Sequence, residues 1–237
     1  MNQVLKVIIA VCFFTISGVS SAQENFKRSL ENFTGLFLTG NIRVEIYKSD
    51  TARLEAAIKN LPEENLITEI KEDKLYIRLK TGSSKEAEVR VKVYYNQLDE
   101  ISVSSRGLIT SSEIISGKKV NFIGRSGGKI ELELELDELK AEVVQGAILV
   151  FKGKVGKQEV NVNSGSTYSA YDLAAEESLV KAGMGGKAKV RASRAIEANS
   201  NSGAFIGYIG DPERESSKIS LGGVITKYKN DEAAGLQ

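Results

Sequence analysis

The 237 residues contain no histidine and no tryptophan, one cysteine and two prolines. Without histidine, the usual base for a serine or cysteine nucleophile is missing, and so is the commonest metal ligand. Cys12 lies inside an apolar run, VIIAVCFFTI at Val7 to Ile16, which follows Lys6 and precedes Ser20-Ser21-Ala22. That layout is a secretory signal peptide over residues 1–22, too short in its apolar part to span a bilayer comfortably. Cleavage after Ala22 leaves no cysteine, hence no disulfide scaffold and no thiolate metal site. Lipid modification of Cys12 is left open, although Val11 rather than a small residue precedes it. Removing Lys6 takes 32 basic residues to 31, against 31 acidic ones. A net charge of zero gives no long-range pull toward nucleic acid or an anionic membrane surface. No later apolar run is long enough to cross a membrane.

What is present is alternation. Leu36, Leu38, Ile42, Val44 and Ile46 alternate with polar residues, as do Leu75, Ile77 and Leu79, then Val89, Val91 and Val93. Period two means half-buried strands. One segment departs from it: Leu54, Ala57, Ile58 and Leu61 have helical spacing before Pro62, consistent either with a short helix or with a strand ending in a Pro-Glu-Glu-Asn turn.

The second half repeats. The first glycines of successive small-residue corners are Gly107, Gly127, Gly146, Gly165, Gly185, Gly203 and Gly222, at intervals of 20, 19, 19, 20, 18 and 19 residues. That period is the size of one solenoid coil. Three residues after the glycine come Ile130, Leu149, Tyr168, Ala188, Ile206 and Ile225; five after it come Leu132, Phe151, Ala170, Val190, Tyr208 and then Lys227. The Gly107 coil fits only when shifted by one residue. A second corner falls at Gly153, Asp172, Ser193 or Gly210-Asp211-Pro212. The rival is an antiparallel meander, which also turns every ten residues or so but gives these columns no reason to persist. The expectation is an all-β chain: residues 1–22 a signal peptide, 23–100 an amino-terminal β region, 101–229 stacked coils continuous with it, and 230–237 a disordered tail.

The corner series "RSGGKIEL", "VQGAILVF", "NSGSTYSAY", "GMGGKAKV" and "NSGAFIGYIGDP", closing with "SLGGVITKY", resembles the head GIN domain family of auto-transporter adhesin-like proteins secreted by Bacteroidetes. The resemblance extends to "LFLTGNIRVEI", "DKLYIRL" and "LDEISVSS", covering residues 33 to 229. It implies a right-handed parallel β-helix capped by an amino-terminal β region, and it carries no enzymatic activity over to this chain.

Each chemical motif has a structural alternative. Ser164 and Ser166 flank Gly165, but Ser202 and Ser126 recur at equivalent corners, which suits turn chemistry and not a nucleophile. "GMGGKAKV" lacks the Gly-Lys-Ser/Thr ending of a phosphate loop and is followed by a strand pattern. Asn161 and Asn199, like Asn163 and Asn201, lie 38 residues apart with one coil between them; they suit sugar hydroxyls or, more commonly, hydrogen bonds within turns. Glu131, Glu133, Glu135 and Asp137 share a strand, where paired carboxylates could hydrolyse glycosides or bind calcium. Lys152 is expected one coil from Glu133, which favours a solvated charged face.

No catalytic, cofactor or metal residue is therefore assigned, and no ligand-binding residue is singled out. The first reading is an exported, non-catalytic adhesin-like or structural module of the cell envelope, periplasmic, outer-membrane-associated or extracellular, with a cell-surface glycan or envelope protein as partner. The alternative is a carbohydrate-active β-helix enzyme acting on an acidic polysaccharide through Glu131 and Glu133 or Lys189 and Arg191. Self-association through open coil ends is a third expectation.

Overall fold

A computed structural model describes residues 24–82 and 87–229. The leader expected over residues 1–22, with Cys12, and the tail over 230–237 lie outside the described residues. The chain begins with β1 (Glu24–Ser29), β2 (Gly35–Thr39), β3 (Arg43–Lys48) and β4 (Arg53–Lys59). A 3-10 turn at Glu63–Asn65 leads to β5 (Leu66–Lys71), β6 (Lys74–Leu79), β7 (Glu88–Tyr95) and β8 (Glu100–Ser104). Three long strands follow: β9 (Leu108–Gly124), β10 (Lys129–Val143) and β11 (Ile148–Val162). Then come β12 (Thr167–Ser169), β13 (Leu173–Ala182), β14 (Lys187–Arg191), β15 (Ala195–Ser200), β16 (Phe205–Ile209), β17 (Arg214–Ile219) and β18 (Val224–Tyr228).

The helix alternative at 54–61 fails. Leu54, Ala56 and Ile58 are buried at every second position of β4, so the residues follow a strand period, and the Pro62 segment supplies the turn.

From β9 onward the strands pair in parallel with the lap before and after. Ile130 lies beside Leu149, then Tyr168, Ala188, Ile206 and Ile225 in one file. The protein is a β-solenoid, and the meander is excluded by this parallel register. Each lap contributes to two faces. The first is ordered β1–β4–β7–β3–β9–β10–β11–β12–β14–β16–β18, and the second β5–β6–β2–β8–β9–β10–β11–β13–β15–β17. The long strands β9 to β11 bend from one face to the other. Inward side chains meet between the faces, among them Phe122, Phe151 and Tyr168, whose rings lie 4.6 and 5.7 Å apart in succession. A buried aromatic or aliphatic side chain of this kind contributes roughly 1.5–3 kcal/mol.

The tight corners are two-residue turns in which both central residues have positive φ, the type I′ geometry. Ser126 and Gly127 take φ of 50° and 73°, Ser164 and Gly165 54° and 68°, Ser202 and Gly203 50° and 69°. In each, the glycine N–H donates to the carbonyl of the next lap's corner, as Gly127 does to Gln145 and Gly165 to Met184. The offset of the Gly107 coil is explained here: its positive-φ pair is Ser105 and Arg106, so Gly107 matches Gly128, not Gly127.

The amino-terminal strands do not follow chain order. β2 lies between β6 and β8, and β3 between β7 and β9. Antiparallel β4 and β1 extend the first face, and antiparallel β5 ends the second.

Candidate functional site

On the first face, outward side chains form rows that cross the strands. One row reads Lys27, Glu55, Lys92, Glu45 and Thr110 from β1 to β9; the next reads Asn25, Ala57, Arg90, Arg43 and Leu108. Between them lie Phe26, Ala56, Val91 and Val44, which turn their side chains away, so their backbone is the floor of a trough. The long side chains on either side make it deep, with a volume of about 720 Å³.

Its two banks differ in charge. On the first, signs alternate; Lys27 bridges Glu55 at 2.9 Å and holds that carboxyl below the usual carboxylate range. On the second, Arg43 and Arg90 stand directly opposite each other on β3 and β7. Arg90 has Glu88 at 3.8 Å, a long contact between exposed groups. Arg43 has no ion-pair or hydrogen-bond partner among the described residues. Beyond the first bank, Tyr47 and Tyr94 stack at 5.2 Å, with the Arg53 guanidinium 3.5 Å from the Tyr94 ring centre. A hydrogen bond with Glu45, reinforced by burial, pushes the Tyr47 hydroxyl up to about 12.

The residues singled out in the sequence lie elsewhere, mostly on the later laps. Ser164 and Ser202 are turn residues, but among the described residues neither hydroxyl caps turn backbone. Ser126 Oγ bonds the Gln145 side chain at 3.0 Å, and the buried Ser166 Oγ has no partner among the described residues. Ser166 fills a column otherwise held by Gly107, Gly128, Ala147, Gly186, Ala204 and Gly223, where small size is what matters. Asn161 and Asn199 flank Lys181. Asn163 and Asn201 reach over Gly183, where a Cβ would lie 2.6 and 2.9 Å from their Oδ1 atoms. Asn163 also bonds Asn161 at 2.6 Å. Asn163 and Asn201 thus lie over a corner, whereas Asn161 and Asn199 stand on strands β11 and β15.

Glu133 meets Lys152 from the neighbouring lap at 2.8 Å, as the coil register requires, and Glu131 is bridged by Lys129. Arg191 Nε donates to the Tyr171 carbonyl, and Lys189 lies near the Tyr171 ring. "GMGGKAKV" is a corner leading into β14, with no helix. Among the described residues no three histidine, cysteine, aspartate or glutamate side chains could hold a metal ion, and no helix is long and apolar enough to cross a membrane.

Two arrangements escaped the sequence reading. One is the trough, because it joins strands far apart in the chain. The other is a polar network in the core: Tyr168 donates to Gln158 Oε1 at 2.8 Å, Gln158 Nε2 to Ser178 Oγ at 2.8 Å, and Ser178 Oγ to the Arg191 carbonyl at 2.8 Å. Burial raises the Tyr168 pKa far above its ordinary value, so the ring stays a neutral donor. The network ties three successive laps together, and its Tyr168, Gln158 and Ser178 side chains are fully buried.

Residues 32–212 match the family model described as "Putative auto-transporter adhesin, head GIN domain". Among solved structures, a putative adhesin from Bacteroides fragilis NCTC 9343 superposes with a TM-score of 0.75 at 15% identity, covering 89% of this chain and 98% of that one. A putative adhesin from Parabacteroides merdae ATCC 43184 gives 0.72 at 16% identity, with 88% and 97% covered. A protein described as a putative lipid binding protein, from Parabacteroides distasonis ATCC 8503, gives 0.71 at 21% identity, with 88% and 98% covered. At these identities the likeness is one of fold. No curated protein matches the chain.

Proposed function

The chain belongs to the head GIN domain family of auto-transporter-type adhesins, and from that premise we propose that it is an exported, non-catalytic binding module of the cell envelope. Residues 1–22 are then the removed leader, residues 23–100 the amino-terminal β region that carries most of the trough, residues 101–229 the coils that continue it, and residues 230–237 a tail. The observation that carries this reading is the trough, a long open depression on one bank of which Arg43 has no side-chain partner among the described residues and Arg90 has only a long 3.8 Å contact with Glu88. Turnover would require an acid and a base converging on one point, whereas Glu131 and Glu133 are held by lysines and Arg191 braces a corner. An acyl chain would require an enclosed apolar cavity, and the trough is open and rimmed by charge.

The test is binding of protein recovered from an exporting host to bacterial envelope fractions and polysaccharides extracted from them. Saturable binding, with a recovered mass that lacks residues 1–22, is expected. Uniform failure to bind across those fractions would remove the proposal.

A further inference from the structure

The bank that holds Arg43 and Arg90 does not stop at β9. It continues along the whole first face as a single row, from Asn25 on β1 to Val224 on β18, and includes no acidic residue. Its charged members are Arg90, Arg43, Lys129 and Lys187; between them stand side chains such as Leu108 and Ile148, half-buried and exposed respectively. Like charges directly opposite on neighbouring strands are unfavourable, and the neighbouring row shows how this chain avoids them, by alternating Lys27, Glu55, Lys92 and Glu45. The Arg43–Arg90 pair departs from that pattern, and nothing in the fold requires it.

Two adjacent guanidinium groups, each a planar fork of donors, match one carboxylate placed between them. The strands cross the row about every 4.8 Å, so a ligand following it runs parallel to the solenoid axis and passes Lys129, itself bridged to Glu131, before the further cation Lys187. We propose that this row docks a linear carboxylated polysaccharide, with one carboxylate held between Arg43 and Arg90; the proposal rests on the binding reading above and names its ligand class. An extended acidic polypeptide is the weaker match. Peptides added to sheets are held chiefly by main-chain ladders at an edge, and β4, β7, β3 and β9 are each paired on both sides. Recognition here falls to side chains, whose donors suit carboxylates and hydroxyls.

The probe is polygalacturonate immobilised on a sensor surface, with neutral dextran and poly-L-glutamate beside it. Intact protein is expected to bind polygalacturonate, more weakly as salt rises because the contact is electrostatic, and to bind dextran or poly-L-glutamate little. Arg43→Gln with Arg90→Gln should weaken binding about tenfold or more, while Lys140→Gln on the second face leaves it unchanged. Ala57→Glu puts a carboxylate beside Arg90 on the adjacent strand; it should abolish binding while the unfolding temperature holds or rises, which a folding defect would not imitate. Full binding by the double arginine variant overturns the proposal, as does poly-L-glutamate or dextran binding equal to that of polygalacturonate. If envelope fractions are bound but polygalacturonate is not, this inference falls and the binding reading stands; if the fractions are not bound either, both fall.

Discussion

Residues 105–229 and residues 24–104 build the same two faces by different routes. In the later region each lap rests on the one just before it, and a residue finds its partner about nineteen positions away. In the earlier region β2 and β3 come early in the chain and end up in the middle, enclosed by β6 and β7 on one side and β8 and β9 on the other. Nearest-neighbour stacking allows laps to be lost one at a time; interleaving ties distant segments into one unit. Arg43 and Arg90 belong to the interleaved region, and only the interleaving brings them next to each other.

The largest expected effect concerns one lap of the regular region. Gly153 has φ of +106°, and a Cβ there would lie 2.2 Å from the Leu134 carbonyl oxygen, which is backbone and cannot turn aside. Gly153→Ala should cost about 4 kcal/mol or more, read as a fall in the denaturant midpoint. At Gly146 nothing stands within 4 Å of a Cβ, so Gly146→Ala should lose only about 1 kcal/mol.

Next come cavities of equal chemistry in the two regions. Leu38→Ala on β2 and Ile206→Ala on β16 each remove a fully buried side chain, at roughly 3 kcal/mol. The first should lower a single cooperative transition. The second should separate early melting of the last laps from the rest, visible as faster amide exchange in β16 to β18 than in β2 and β3. Identical cooperative behaviour in both variants would erase the proposed contrast.

Smaller again is Tyr168→Phe, which leaves Gln158 Oε1 without its donor in the core at a cost of about 1–2 kcal/mol. Chemical unfolding checks it.

The least effect is acid sensitivity, which should be common to both regions. Lys140 holds the Glu159 carboxyl below its ordinary range, and Lys27 does the same for Glu55. A carboxyl with a depressed folded pKa adds stability that is complete above its unfolded value, about 4.3, and lost as pH falls through the folded one. The unfolding temperature should therefore be flat from about pH 7 to about pH 5 and decline below about pH 4. Lys140→Gln should make that decline shallower.

The regular region was legible because its constraints repeat. Glycine corners place Ile130, Leu149, Ile206 and Ile225 in one column, and even the misfit at Gly107 reports a real change, a turn built from Ser105 and Arg106. The interleaved region was not, since alternation in "RVEIYK" tells which side chains face inward but not which strand lies alongside. β3 has the same pattern whether it pairs with β4 or β7. The Gln158 network lay within reach: Leu139, Gln158, Ser178 and Ile196 form a column once the extra residue of the Gly165 lap is allowed for. Two polar residues in an inward column signal a buried partner, here the Tyr168 hydroxyl.

The corner hydrogen bonds carry a consequence for how such a molecule varies in length. Because each glycine N–H is received by an equivalent carbonyl one lap on, excising residues 146–164 would join Gln145 to Gly165 and recreate a corner with matched donors and acceptors on both sides. The shaft can be shortened in whole turns without disturbing the end that carries the two arginines, so the length of the solenoid and the surface around Arg43 and Arg90 can evolve separately.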